Sequence, residues 1–289
     1  MTKTFDPAHI ETAEFYKIIT DTVIPRPIAF VSSCDKKGNV NLSPFSFFNV
    51  FSANPPILVF SPLSRMRDNS IKHTLLNVQE HPEVVINLVN YDMVQQTSLA
   101  SCEFDKEINE FNKAGLTEAA SEKVKPPRVK EAVVSFECKV TKTLPLGDKG
   151  GAGTLVICEI VLAYISDTVL GKDGRPDALK LDVVARLGGD WYSRFNKDSL
   201  FEVPKPWAKI GMGVDQIPVS IRNSDVLSGN DLGKLGMIGS LPTKEEVTTY
   251  TSNHKELKNK TEKEIHQLAK AKLADNQLMD AWLILLSGG

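Results

Sequence analysis

Three stretches of the chain bring together residue types that could do chemistry as a group. In the first, Ser43-Pro44-Phe45-Ser46-Phe47-Phe48-Asn49, hydroxyls and an amide are interleaved with aromatic rings. That mixture suits a flat, apolar ring with polar edges, which needs apolar contact over a face and hydrogen-bond partners along one side. It equally describes an irregular strand with core aromatics and surface hydroxyls. The second stretch, Ser61-Pro62-Leu63-Ser64-Arg65-Met66-Arg67-Asp68-Asn69-Ser70-Ile71-Lys72-His73-Thr74, joins an apolar run to residues with helical spacing. A strand end feeding a helix start collects free backbone N–H groups, hydroxyls and cations, a setting for a monoester phosphate. A helix cap among solvated basic residues accounts for the same letters. In the third, Arg186-Leu187-Gly188-Gly189-Asp190-Trp191-Tyr192-Ser193-Arg194, the paired glycines allow close backbone approach and the aromatics can cover a ring. A turn followed by core aromatics is the competing reading.

The elements that must position these residues are mostly strands. Residues 26 to 33 read as one, and Asp35-Lys36-Lys37-Gly38-Asn39 carries turn chemistry that returns the chain as an antiparallel neighbour. Further strands are expected over 57 to 61, 84 to 89, 133 to 143 and 154 to 166, all rich in β-branched and aromatic residues. Their spacing favours a mostly antiparallel barrel. The segment 43 to 49 is too polar and Pro-rich for a core strand. Asn69 and Ser70 offer cap oxygens ahead of Ile71, Leu75 and Val78, which share one helical face. A second helix is expected from Asp105 to Ala114, with Ile108 and Phe111 inward and Gly115 in the left-handed closing position. The Gly-rich run Leu146 to Gly153 joins two strands. It completes no GxGxxG and precedes a strand, so a hairpin tip is favoured over a nucleotide loop.

Composition changes at Val203-Pro204-Lys205-Pro206-Trp207, which reads as a linker or edge. From there to about residue 240 the chain looks loop-like, and from Thr243 to Ser287 it turns helical, with Ile265, Leu268, Ala269, Leu273, Leu278, Trp282 and Leu285 on an amphipathic face. Two domains are therefore expected, 1–203 and 204–289.

The 289 residues, 42% hydrophobic and 24% charged, fit a compact globular chain with a sizeable core. With 34 Lys and Arg against 36 Asp and Glu, the net charge of −2 provides no broad cationic footprint, so a nucleic-acid partner is not expected. No run has the length of a membrane span or a signal peptide, so no membrane partner and a cytoplasmic location are expected. Cys34, Cys102, Cys138 and Cys158 lack CxxC spacing and read as buried thiols. The histidines form no HExxH, and no Gly-x-Ser-x-Gly elbow occurs, so neither a metal site nor a serine hydrolase has an anchor.

In order and content the three stretches resemble the flavin reductase-like, FMN-binding split-barrel family, which includes flavoredoxin-like proteins, over roughly residues 15 to 200. Glu110-Phe111-Asn112-Lys113-Ala114-Gly115-Leu116 and Pro126-Pro127-Arg128-Val129 agree as well. The resemblance implies a mainly β fold, a split β-barrel with flanking helices, here carrying a helical C-terminal extension. It further implies a homodimer with FMN near the interface. Ser43, Pro44, Phe45, Ser46, Phe48 and Asn49 look like the flavin-edge segment; Ser61, Ser64 and Arg65 look like phosphate-side residues. Lys72-His73-Thr74 aligns with a Lys-Asp-Thr pattern, so Lys72 and Thr74 carry over, whereas His73 stands where many relatives have Asp. Arg186 and Tyr192 match a late motif. The implied activity is NAD(P)H:flavin oxidoreduction, with NADH or NADPH as donor and free flavin or a redox partner protein as acceptor. The alternatives are a noncatalytic FMN-binding electron carrier and an interaction protein on the same barrel. In either flavin reading the cofactor carries the chemistry and the side chains bind it.

Overall fold

The computed structural model describes residues 1–205 and 210–288, in two compact units, Met1–Phe201 and Glu202–Gly289. Pro206 and Trp207 of the expected linker lie outside the described residues.

The first unit opens with α1 (Thr12–Thr22), for which the sequence reading made no provision. The strands are β1 (Arg26–Pro27), β2 (Ala29–Cys34), β3 (Val40–Phe45), β4 (Phe48–Ala53) and β5 (Pro56–Phe60). After α2 (His73–Glu80) come β6 (Glu83–Leu88), α3 (Val94–Leu99), α4 (Glu110–Ala114) and the short β7 (Glu118–Ala119) and β8 (Arg128–Val129). The long β9 (Val134–Pro145) and β10 (Thr154–Ile165) form a hairpin, followed by α5 (Ala178–Leu181), β11 (Val184–Arg186) and β12 (Tyr192–Arg194).

The main sheet is antiparallel, in the order β3-β2-β6-β9-β10-β5-β4. Its two edges, β3 and β4, are consecutive in the chain, with only Ser46 and Phe47 between them. Three residue steps span roughly 10 Å at most. Opposite edges of a seven-stranded sheet can come that close only if the sheet curls into a barrel, left open along the seam between β3 and β4. Register shifts between Ile157 and Cys158, between Ile160 and Leu162, and between Val50 and Ser52 supply local bending. The segment thought too polar and Pro-rich for a core strand is therefore strand at both ends of the sheet. Pro44 is tolerated because β3 is an edge and has one neighbour.

Inside the barrel, Ala29, Val31, Phe45, Phe60, Val84, Ile86, Val156 and Cys158 pack together, and α2 adds Leu75 and Val78. A second layer, built on Ile28, Phe30, Leu42, Met93 and Phe111, covers the outer face of β2 and β3 with α3 and α4. Both faces of β2 are thus buried. The strap 126–129 is tied to the barrel by buried polar groups: Ser32 donates to the Pro127 carbonyl, and Asn87 Oδ1 accepts from Val129 N–H at 3.0 Å and from Ser135 Oγ at 2.7 Å.

Three local expectations change. The first helix begins at His73 rather than after Asn69 and Ser70, because Asn69 is held left-handed (φ 58°) and the Ser70 hydroxyl donates to Asp68 at 2.6 Å. The second helix is only α4, capped by Asn109, whose side chain accepts from Phe111 N–H; Gly115 closes it at φ 66° as expected. Cys102 is exposed, whereas the other three cysteines are buried. The run Leu146 to Gly153 does turn the chain from β9 to β10, with Leu146 N–H donating to the Gly153 carbonyl at 2.9 Å.

The second unit is helical: α6 (Val219–Arg222), α7 (Gly229–Leu235), α8 (Lys244–Asn253), α9 (Glu262–Ala274) and α10 (Leu278–Ser287). The stretch before 240 thus contains α6 and α7, and α7 starts from a Ser228–Asp231 capping box. Trp282 is fully buried among Leu235, Ile265 and Leu273, and its indole N–H donates to the Leu235 carbonyl at 3.1 Å. Among the described residues no helix is long and apolar enough to cross a membrane.

Arg26 joins several of these parts. Its guanidinium, 7% exposed as a residue, donates to the carbonyls of Thr20, Val23 (2.7 Å) and Leu187 (2.8 Å) and approaches Ser46 Oγ at 3.5 Å. Replacing Arg26 by Ala is expected to cost about 2–4 kcal/mol, because the buried Thr20 carbonyl and the part-buried Val23 and Leu187 carbonyls lose a charged donor. Urea unfolding measures it; a loss below about 1 kcal/mol would show that these carbonyls do not depend on the guanidinium.

Candidate functional site

The end of the barrel beside α2 carries a small cleft of ≈20 Å³ lined by Asn41, Ser43, Arg65, Lys72, His73, Thr74, Glu103 and Glu110. Its back wall is a buried network. Glu110 accepts from Asn41 Nδ2 at 2.6 Å and from Leu42 N–H at 2.9 Å, and Asn41 Oδ1 accepts from the Thr74 hydroxyl at 2.7 Å. This fixes the start of α2 and the start of α4 against β3. Burial pushes the Glu110 carboxyl upward, opposed by those donors.

The front of the cleft is cationic. Arg65 is held from within: Nη1 donates to Ser70 Oγ at 2.9 Å and to the Ile71 carbonyl at 3.4 Å. Its Nε donates to Glu103 Oε1 at 2.7 Å, while Arg67 Nη2 donates to Glu103 Oε2 at 2.6 Å. Lys72 occupies the residue before α2 and, among the described residues, forms no ion pair or side-chain hydrogen bond. Of the first-turn amides of α2, Leu75 N–H already donates to the Lys72 carbonyl at 3.0 Å, which leaves those of His73 and Thr74 beside the lysine. Desolvation first, and then the charges of Arg65 and Arg67, lowers the Lys72 ammonium from its usual range; Glu103 opposes this. His73 is lowered for the same reasons, by burial and then by Arg65, Lys106 and Lys72, against Glu107. In both bases burial is the larger cause and the neighbouring cations add to it.

The expected site residues fall into groups. Ser43, Arg65, Lys72 and Thr74 meet in this cleft, with Thr74 buried in its wall. Ser64 stands on the other side of Lys72, in a cavity of ≈240 Å³ that also takes in Asn69 and Gly147. Ser61 is buried, and a Cβ on Gly153 would lie 2.6 Å from its hydroxyl. Pro44 is half-buried on β3, Ser46 approaches Arg26, and Asn49 is exposed on β4 with Oδ1 accepting from Val50 N–H at 2.8 Å. Phe45 departs from a ring-covering role: its side chain is in the barrel core, 5.1 Å from the Phe60 ring. Phe48 packs against the same core. Arg186 and Tyr192 lie elsewhere, in a cavity of ≈460 Å³ shared with Tyr91, Ser98 and Arg194. There Arg186 sits over the Tyr192 ring at 4.5 Å, and Arg194 over Tyr91 at 3.7 Å.

Comparison with known proteins assigns this architecture. The flavin reductase like domain matches residues 21–179, more than half of the chain. The chain belongs to the flavin reductase-like family. A protein of Aquifex aeolicus is 41% identical over 177 residues, 61% of this chain and 88% of that one. Nitrilotriacetate monooxygenase component B from Bacillus cereus superposes with a TM-score of 0.66 at 30% identity, covering 70% of this chain and 99% of its own. A split-barrel-domain protein from Shewanella frigidimarina gives 0.60 at 28% identity, covering 71% and 100%. The matched span of the family includes the seam and the Arg65–Lys72 cleft; the helical second unit lies beyond it.

Asn41, Glu103 and Glu110, none of them expected at the site, complete it from positions 38 and 69 residues away from their partners; of the three only Glu110 falls in a stretch that agrees with the family. A titration of His73 followed by NMR tests the local field. Its midpoint is expected below 6.5 and should rise when inorganic phosphate is added, because a bound anion favours the imidazolium. The sign for stability follows: a depressed histidine costs stability as pH falls from about 6.5 through the folded midpoint. A midpoint at or above 6.5 would show that the cleft is not positive.

Proposed function

We propose that this protein is an FMN-binding oxidoreductase, using NADH or NADPH as donor and passing electrons to free flavin or to a redox partner protein. The reading rests on one observation above all: an unpaired lysine and an internally braced arginine flank the start of α2, beside the hydroxyl of Ser43 near the barrel seam. Those groups fit a phosphate monoester, and the family supplies the flavin.

When bound, the flavin supplies hydride acceptance and onward electron transfer. The chain's own residues do the holding. Arg65 and Lys72 neutralise the phosphate, the α2 amides and Ser64 add donors, and Ser43, Ser46 and Asn49 with their backbone orient the ring edge along the seam. Arg186, Tyr192 and the neighbouring Arg194–Tyr91 pair give the larger cavity cationic and aromatic walls, suited to the nicotinamide nucleotide. Homodimerisation in the cytoplasm belongs to the same reading. It is supported by an apolar surface: Val23 (60% exposed) and Ile24 after α1, and Val50 (64%) and Phe51 (67%) on the edge strand β4.

Replacing Arg65 and Lys72 together by Ala is expected to weaken FMN binding well over tenfold, at about 1.5–3 kcal/mol for each charged hydrogen bond lost. Flavin fluorescence measures it, and unchanged affinity would remove the phosphate assignment. In anaerobic stopped flow, NADH or NADPH is expected to bleach the flavin absorbance on a catalytic timescale. A flavin that stays oxidised with both donors would make the protein a carrier rather than a reductase.

A further inference from the structure

Glu103 occupies an unusual position in the cleft. Its two carboxylate oxygens are divided between two arginines, Oε1 on Arg65 Nε at 2.7 Å and Oε2 on Arg67 Nη2 at 2.6 Å. It lies in the irregular segment between α3 and α4, and its side chain is 44% exposed against 17% for Arg65. Arg65 does not need Glu103 for its orientation, since Ser70 Oγ and the Ile71 carbonyl hold Nη1, and Ser70 is in turn fixed by Asp68 through both its hydroxyl and its amide. The carboxylate is thus the outer, exchangeable member of the pair, while the guanidinium is the braced one.

We propose that Glu103 is an internal anion that competes with the ligand's phosphate for Arg65 and Arg67, and so weakens the hold on a phosphorylated flavin while leaving an unphosphorylated one unaffected. This rests on the phosphate assignment above. The physical basis is a difference in charge and valence. A phosphate monoester brings close to two negative charges and three acceptor oxygens. Glu103 brings one charge and two oxygens, and leaves Lys72 without a counter-ion. Exposed ion pairs of this kind are worth little individually, so a ligand that also engages Lys72 displaces the carboxylate at small cost. An unphosphorylated flavin has nothing to exchange for it. A role as a positioning residue predicts the opposite sign, because loss of Glu103 would then loosen Arg65.

The test compares wild type, Glu103→Gln and Glu103→Ala by fluorescence titration with FMN and with riboflavin, with thermal melts to confirm that all are folded. Both variants are expected to bind FMN about three- to tenfold more tightly, with riboflavin affinity unchanged. FMN affinity that stays the same or falls would overturn the proposal, as would an equal gain for riboflavin, which would indicate steric opening rather than charge competition. The two levels are separable. Wild type that binds no FMN sinks the phosphate site itself, whereas wild type that binds FMN, with the Arg65/Lys72 variant weakened and the Glu103 variants no tighter, sinks only the competition.

Discussion

The shortness of the connection between β3 and β4 governs the rest of the molecule. Ser46 and Phe47 must bridge the two edges of the main sheet, so the sheet has to close, and closure leaves a seam where the backbone groups facing it have no neighbouring strand. The seam segment is aromatic and hydroxyl-rich because it serves both sides at once: Phe45 and Phe48 fill or cover the barrel, while Ser43 and Asn49 remain toward solvent or a ligand. Arg26 braces the crossing. A single guanidinium can reach the α1 end, the Leu187 carbonyl and Ser46 because it presents five donors in a fixed fork. A lysine could not serve so many directions.

Much of the strand content was legible because runs such as Val84 to Val89, buried over most of their length, and Thr154 to Ile165, which sends Val156 and Cys158 into the core, are rich in β-branched residues. Gly115 was legible because its left-handed closing position penalises any side chain. The α1 helix was not. Phe15, Ile18 and Ile19 are spaced as an apolar helical stripe and were passed over; no side chain caps the start, and Thr20 is the single buried residue of the helix. The cap at Asn69 and Ser70 was misread for a different reason. Both residues carry the right oxygens, but those oxygens are committed to a turn that braces Arg65.

The site divides along the same line. Lys72, Ser43 and Ser64 could be picked out from local types and from the family resemblance, because they sit at a strand end or a helix start whose chemistry is local. Glu103 and Glu110 could not, since their partners are set by the fold: Arg65 and Asn41 are remote in the chain. Phe45 shows the limit from the other side. An aromatic beside hydroxyls looks like a ring platform, yet the period of the strand sends it inward. Arg186 and Tyr192 stack on each other beside Tyr91, in a cavity apart from Lys72.

The cleft thus has two layers with different electrostatics. Behind lies Glu110, buried and bonded to Asn41 and Leu42, whose charge is tied to the backbone of β3 and cannot be exchanged without breaking the wall. In front lie Arg65, Arg67, Lys72 and His73, with Glu103 as their outer counter-charge. The histidine at position 73 adds no negative charge to this layer. Asp68 takes part of the balance, accepting from Arg67 Nε at 3.1 Å, while burial first and the nearby cations second depress Lys72 and His73. A surface that keeps cations partly desolvated beside an unfinished helix start bears a standing electrostatic cost. Among the groups present, only an added anion relieves that cost without dismantling the wall behind it.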